Sequence, residues 1–299
     1  MDGFEPAWTL GNPRLRVMRR RGAGKRLLLF HGVLRCGDDF SPLLPHLDPE
    51  WDLTLVDQRG HGGSDRAQSY RVLDYIQDAI RLVQKLASPD LFIYGHSLGA
   101  MVAAGVAEQL PVAGIILEDP PFETMGSRIR GSHWQELFMG FDRVARAGGN
   151  VDQRLEGLKA IGVRNKDGEV VPLAKLRDEA SLRWSAECLC TLDPAVLAPL
   201  VEGNWLEGWH WEGVLARAKA RTLLLQGDVA AGGALDDEDV RRAGADAGGV
   251  RRLSFAGCGH QLHWTDPKGI AGLVNAFCNR AQHSTSNTPV PKLWRGPES

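Results

Sequence analysis

Short, almost unbroken apolar runs recur along the chain, each closed by turn-forming residues. Five stand out, at 26–31 (RLLLFH), 52–57 (DLTLVD), 91–95 (LFIYG), 113–119 (AGIILED) and 221–227 (RTLLLQG). A strand with one wet face alternates apolar and polar positions, whereas a strand covered on both faces is apolar throughout. The runs therefore predict buried, parallel strands. A sixth, 250–255 (VRRLSF), is less apolar and predicts an edge. Between several of them the period lengthens. Over 72–86, Val72, Tyr75, Ile76, Ile80, Leu82, Val83 and Leu86 fall on roughly one helical face. Helices are also expected at 98–110, rich in Ala, Val and Met, and at 267–280. Strand–helix alternation of this kind builds a doubly wound α/β sheet.

The rhythm breaks between about residues 120 and 220. That stretch has no strong strand pattern and carries Trp134, Trp184, Trp205, Trp209 and Trp211, five of the nine tryptophans. It is expected to be a mostly helical insertion on the sheet. Residues 284–299 (STSNTPVPKLWRGPES) are polar and proline-rich and are expected to form a disordered tail.

Composition narrows the class without naming a function. The 299 residues suffice for one large α/β domain or one domain carrying an insertion, and the formal net charge of -2 argues against nucleic acid or an acidic membrane as the main partner. The basic stretch 14–26 (RLRVMRRRGAGKR) alternates in part and fits an early hairpin with a solvated face. No run is long enough to span a bilayer, and no charged start precedes an apolar run, so no signal peptide is expected. Cys36, Cys188, Cys190, Cys258 and Cys278 are scattered and odd in number, as in a reduced, cytoplasmic protein.

The candidate chemistry lies at 95–99, Gly95-His96-Ser97-Leu98-Gly99, where a strand ends and a helix begins. A serine in a sharp strand–turn–helix reversal projects its hydroxyl above the sheet, and glycines two positions to either side let strand and helix pass closely. Such a serine needs a base. His260, in Gly257-Cys258-Gly259-His260 after the last strand, is the candidate; His263 competes, but its neighbour Trp264 suggests packing beside the site. Attack on a carbonyl builds an oxyanion, which needs pre-placed donors. The backbone amides of Val33, in Phe30-His31-Gly32-Val33, and of Leu98 are the candidates.

Taken together, FHGV, DQRGHGGSD, GHSLGA and GCGH, in that order, resemble the α/β-hydrolase fold superfamily over about residues 10 to 282. The resemblance implies a mostly parallel sheet formed by residues 1–120 and 216–283, with 121–215 as a helical cap over the site. It also implies that Asp57, Arg59 and Ser64 of DQRGHGGSD are structural. In most of the family the triad acid follows the seventh strand, but Ala230 occupies that position here. Two carboxylates remain as candidates. Asp119, in LEDPPF, sits where certain dehalogenases and the zearalenone lactonases carry the acid; Asp228 lies nearer the usual place but earlier in its loop. Glu118 is disfavoured because strand alternation points it the other way.

The expected function is hydrolysis of a carboxylic ester or lactone of a fairly apolar small molecule, through an acyl-enzyme on Ser97. Trp134, Trp184, Trp209 and Trp264 are expected at the substrate. No cofactor and no metal is called for, and the protein is expected as a monomer or homodimer. The same triad would serve carbon–carbon bond hydrolysis or perhydrolysis, and some relatives bind ligands or signal without turnover, so these stay open alternatives.

Overall fold

The computed structural model describes residues 3–279 apart from 10, 87, 165–167 and 247. The expected tail at 284–299 lies outside the described residues.

Eight strands form one sheet. The N-terminal hairpin of β1 (Glu5–Trp8) and β2 (Arg16–Arg20) is followed by β3 (Arg26–Phe30), β4 (Asp52–Val56), β5 (Leu91–His96) and β6 (Gly114–Glu118). A three-residue hairpin, β7 (Gly162–Arg164) with β8 (Val170–Pro172), stands apart, before β9 (Arg221–Gly227) and β10 (Val250–Phe255) return to the sheet. Spatial order is β1-β2-β4-β3-β5-β6-β9-β10. The hairpin pairs antiparallel with β4, and every contact from β4 to β10 is parallel. The apolar runs thus occupy the middle of the sheet, and VRRLSF forms an edge, as its composition predicts. The basic stretch supplies β2, part of the expected hairpin. Its partner β1, EPAW, is exposed along its length, so no core pattern marks it in the sequence.

Alternation along β3 shows why the runs are continuous. Leu28 and Phe30 enter one hydrophobic cluster, with α1 (Val72–Leu86) and α2 (Leu98–Gln109), while Leu27 and Leu29 enter a second, against the helix Pro267–Asn279. Each fully buried Leu or Phe contributes about 1.5–3 kcal/mol, so both faces of the central strands must be apolar.

The segment between β6 and β9 contains α3 (His133–Ala147), α4 (Val151–Lys159) and α5 (Glu179–Thr191). Its buried residues, among them Leu137, Leu182 and Trp205, belong to the same cluster as α1 and α2. Polar ties reinforce the contact. The Trp205 indole donates to Tyr70 O at 3.1 Å, and Tyr70 OH donates to Asp193 at 2.6 Å. All five cysteines are free. Among the described residues no helix is long and apolar enough to cross a membrane.

Asp57, at the end of β4, is 2% exposed and accepts from Gly37 N at 2.7 Å, Gly63 N at 2.8 Å and Arg16 at 2.9 Å. One carboxylate therefore binds the loops after β3 and β4 to the hairpin. Arg59 pairs with buried Asp78, and Ser64 Oγ donates to Asp57 O, so all three have structural partners. Removing a buried acceptor leaves its donors unsatisfied. Asp57→Ala is expected to lower unfolding stability by about 3 kcal/mol, read from the denaturant midpoint; Asp65→Ala, which removes an exposed pair with Arg14, should shift it far less.

Candidate active site

The reversal at Ser97 has φ 55° and ψ −115°, a conformation side chains rarely adopt. Its glycines leave no room for anything larger. A Cβ on Gly95 would fall 2.1 Å from Gly99 O, and one on Gly99 would fall 1.9 Å from Phe30 O. The end of β5 and the first turn of α2 are thus pressed together and against β3. Ser97 N donates to Glu118 O at 2.9 Å, continuing the pairing with β6 past the end of the strand. Leu98 opens α2, where backbone N–H groups lack intrahelical acceptors.

The loop after β3 faces this turn. A Cβ on Gly32 would lie 2.9 Å from His96 Nδ1 and 3.2 Å from Ser97 Cβ, so only glycine lets this loop pass so close to the serine. Two buried histidines brace the loop. His31 Nδ1–H donates to Gly32 O at 2.7 Å while its Nε2 accepts from Gln58 N at 3.0 Å. His61 Nδ1–H donates to Arg59 O at 2.8 Å and its Nε2 accepts from Leu34 N at 3.3 Å. Burial lowers both pKa values, His61 to about 3, so each stays neutral with one donor and one acceptor. Sequence reasoning assigned neither a role, although both lie inside motifs it recognised.

His260 follows β10, and its Nδ1–H donates to Asp119 Oδ2 at 2.6 Å. Asp119 is fully buried at the end of β6, with φ 47°. Its carboxylate also accepts from Gly227 N at 2.9 Å and Ala234 N at 2.7 Å, which fix its direction. The structure thus brings together His260 and the first of the two candidate acids. Asp228 instead accepts from Ala230 N at 2.9 Å and Gly257 N at 2.8 Å, capping its own turn and tying down the loop that carries His260. His96 Nε2–H donates to His260 O at 2.9 Å and holds that loop from below; burial lowers the His96 pKa to about 3.

Glu118, one residue before Asp119, points to the opposite face and meets His263. His263 Nδ1–H donates to Glu118 Oε1 at 2.8 Å, and its Nε2 lies 3.4 Å from Asp39 Oδ2. All three are completely buried. Burial alone would lower the His263 pKa, but Glu118 and Asp39 outweigh it and raise the value to about 10. Burial would likewise raise Glu118, and the His263 charge holds it at about 2. The pair is therefore ionic, and His263 is engaged away from Ser97. Asp39, His96 and His263 also bring ligand atoms within 4.8 Å of one another, a spacing that suits a metal, but His263 supplies the cluster with its own cation.

Ser97 and His260 line a cavity of about 820 Å³. Its apolar wall comes from the insertion, with Leu137, Phe138 and Phe141 of α3 and Val163 of β7. Of the four tryptophans expected at the substrate, Trp134 lines the cavity, its ring 6.1 Å from that of His260. The other three belong elsewhere, because a partly buried indole N–H needs an acceptor and a large ring needs a core. Trp184 and Trp264 donate to Asp39 Oδ1 at 2.9 and 3.2 Å, and Trp209 packs 6.3 Å from Phe122. Trp205, from the same segment, does reach the lining.

Comparison with known proteins agrees with this architecture. The α/β hydrolase fold family matches residues 25–267. A 2-(acetamidomethylene)succinate hydrolase of Mesorhizobium japonicum is 37% identical over 95 residues, 31% of this chain and 34% of the relative. A pimeloyl-[acyl-carrier protein] methyl ester esterase of Xanthomonas oryzae pv. oryzae is 32% identical over 171 residues, 54% of this chain and 62% of the relative. This chain therefore spans between about a third and three fifths of these curated relatives. The N-formylmaleamic acid deformylase of Pseudomonas putida S16 superposes with a TM-score of 0.68 at 20% identity, covering 90% of this chain and 100% of that one.

The ionic pair sets a pH signature. His263 has its folded pKa raised from 6.5 to about 10, so its stabilisation is complete below about pH 6.5 and is lost as pH rises toward 10. Glu118, lowered from 4.5 to about 2, loses its contribution as pH falls through that window. His263→Gln is expected to lower stability at neutral pH by about 3–5 kcal/mol and to flatten the alkaline decline, both read from urea melts at several pH values.

Proposed function

This chain belongs to the α/β-hydrolase fold family, and on that footing we propose that it is a serine hydrolase cleaving a carboxylic ester or lactone of a small, largely apolar molecule. His260 takes the proton of Ser97 as the hydroxyl attacks the carbonyl, and Asp119 orients His260 and stabilises its charged form. The Val33 and Leu98 amides receive the oxyanion. The alcohol leaves with a proton from His260, and water, activated by the same imidazole, releases the acid from the acyl-enzyme. The insertion at 121–215 acts as the cap.

The observation that carries this reading is the 2.6 Å bond from His260 to buried Asp119 at a cavity that Ser97 also lines. The walls built from Leu137, Phe138 and Phe141 support an apolar substrate. The relative named as a methyl ester esterase supports ester chemistry.

Steady-state assays on short 4-nitrophenyl esters, lactones and 2-(acetamidomethylene)succinate test the proposal. Multiple turnover is expected on an ester or lactone, with Ser97→Ala lowering kcat by about 10³-fold or more. Asp119→Asn should lower it by about 10³–10⁴-fold, whereas Asp228→Asn should cost much less. Equal turnover by wild type and Ser97→Ala, or single turnover only, would overturn the enzyme reading. Full activity of Asp119→Asn with loss in Asp228→Asn would reassign the acid.

A further inference from the structure

Among the described residues that line the cavity, positive side chains outnumber negative ones. Arg35, Arg164 and Arg177 all line it, against one lining carboxylate, Asp178. Arg35 comes from the loop after β3 and Arg177 from the segment before α5, so core and insertion each contribute a guanidinium to one space.

Each local partner is already committed. The Arg35 side chain is 7% exposed and donates to Ser185 Oγ at 2.8 Å. It also forms an ion pair with Asp39 at 3.6 Å, and because Glu118 already pairs with the His263 cation, the Asp39 charge balances Arg35. Asp178 caps α5 by accepting from Ser181 N at 2.9 Å. Among the described residues no carboxylate comes within ion-pair distance of Arg177. Arg164 meets Glu136 at 3.5 Å, at an exposed rim. Burial and the charge of Arg35 push the Arg177 pKa down to about 10, and the attraction of Asp178 is the smaller effect. Arg177, held beside the like charge of Arg35 at a partly apolar cavity and without an ion pair among the described residues, is costly to keep charged unless a ligand supplies an anion.

Resting on the hydrolase reading above, we propose that the substrate carries a carboxylate, held by Arg35 and Arg177, beside its scissile carbonyl. The planar guanidinium fork matches a carboxylate through two parallel N–H···O bonds, which a lysine ammonium does not reproduce. Anchoring the far end of the substrate orients the carbonyl over Ser97, with Leu137, Phe138 and Phe141 covering the chain between. A substrate apolar in its body and acidic at one end fits both walls.

The test uses two esters of equal chain length, 4-nitrophenyl hexanoate and the mono-4-nitrophenyl ester of adipic acid, which differ in one terminal carboxylate. The wild-type ratio of kcat/KM, acidic over neutral, is expected to be about 10 or more and to fall as salt rises from about 0.05 to about 0.5 M, which screens the charge interaction. Arg177→Gln should bring the ratio to about one, and Arg177→Lys should leave it between the two. A wild-type ratio at or below one, or a ratio unmoved by Arg177→Gln, would overturn the proposal. Should neither ester be hydrolysed, the hydrolase reading fails separately, and adipate binding to Ser97→Ala decides the anion site. A melting-temperature rise that Arg177→Gln removes supports it, and no rise overturns it.

Discussion

At the junction of β5 and α2 the backbone of Gly99 touches that of β3, and Gly95 touches Gly99, with no space for a methyl group at either position. This close approach is the constraint from which the rest of the site follows. It forces the reversal at Ser97 into a rare conformation and directs the start of α2 at the cavity. It also sets the loop after β3, through Gly32, against the serine. The cost of the strained turn, about 1–3 kcal/mol, is offset by strands buried on both faces.

Strand alternation then performs a second separation. Glu118 and Asp119 are consecutive, yet each serves a different histidine. Asp119 holds His260 at the cavity, with its remaining capacity filled by the Gly227 and Ala234 amides. Glu118 holds His263 as a buried cation, which Asp39 approaches from the other side. Asp39 in turn gathers the indoles of Trp184, from the insertion, and Trp264, from the core. The insertion is thereby anchored through the same charge cluster that supports the loop of His260.

Much of this was legible in the chain. Continuous apolar runs gave the central strands, a helical period gave α1, and Gly-x-Ser-x-Gly in its strand–helix context pointed to Ser97. Other features were not, for physical reasons. The exposed β1 has no buried face, so periodicity is silent about it. The choice between Asp119 and Asp228 turns on the distance to His260, which no local pattern encodes. Tryptophan content suggested an aromatic pocket, but an indole is equally at home in a core or against a carboxylate, and Trp184, Trp209 and Trp264 took those places. Arg35 and Arg177 lie far apart in sequence and meet only because the insertion folds back over the sheet.

The central claim is that Ser97 is a nucleophile activated by the His260–Asp119 pair. Intact-protein mass spectrometry after brief exposure to a fluorophosphonate tests it most directly, because the probe reports the reactivity of the hydroxyl without requiring the natural substrate. The account predicts a single adduct mapped to the peptide containing Ser97, formed far more slowly in Asp119→Asn and absent in Ser97→Ala. Labelling at another residue, or equal rates in wild type and Asp119→Asn, would contradict it.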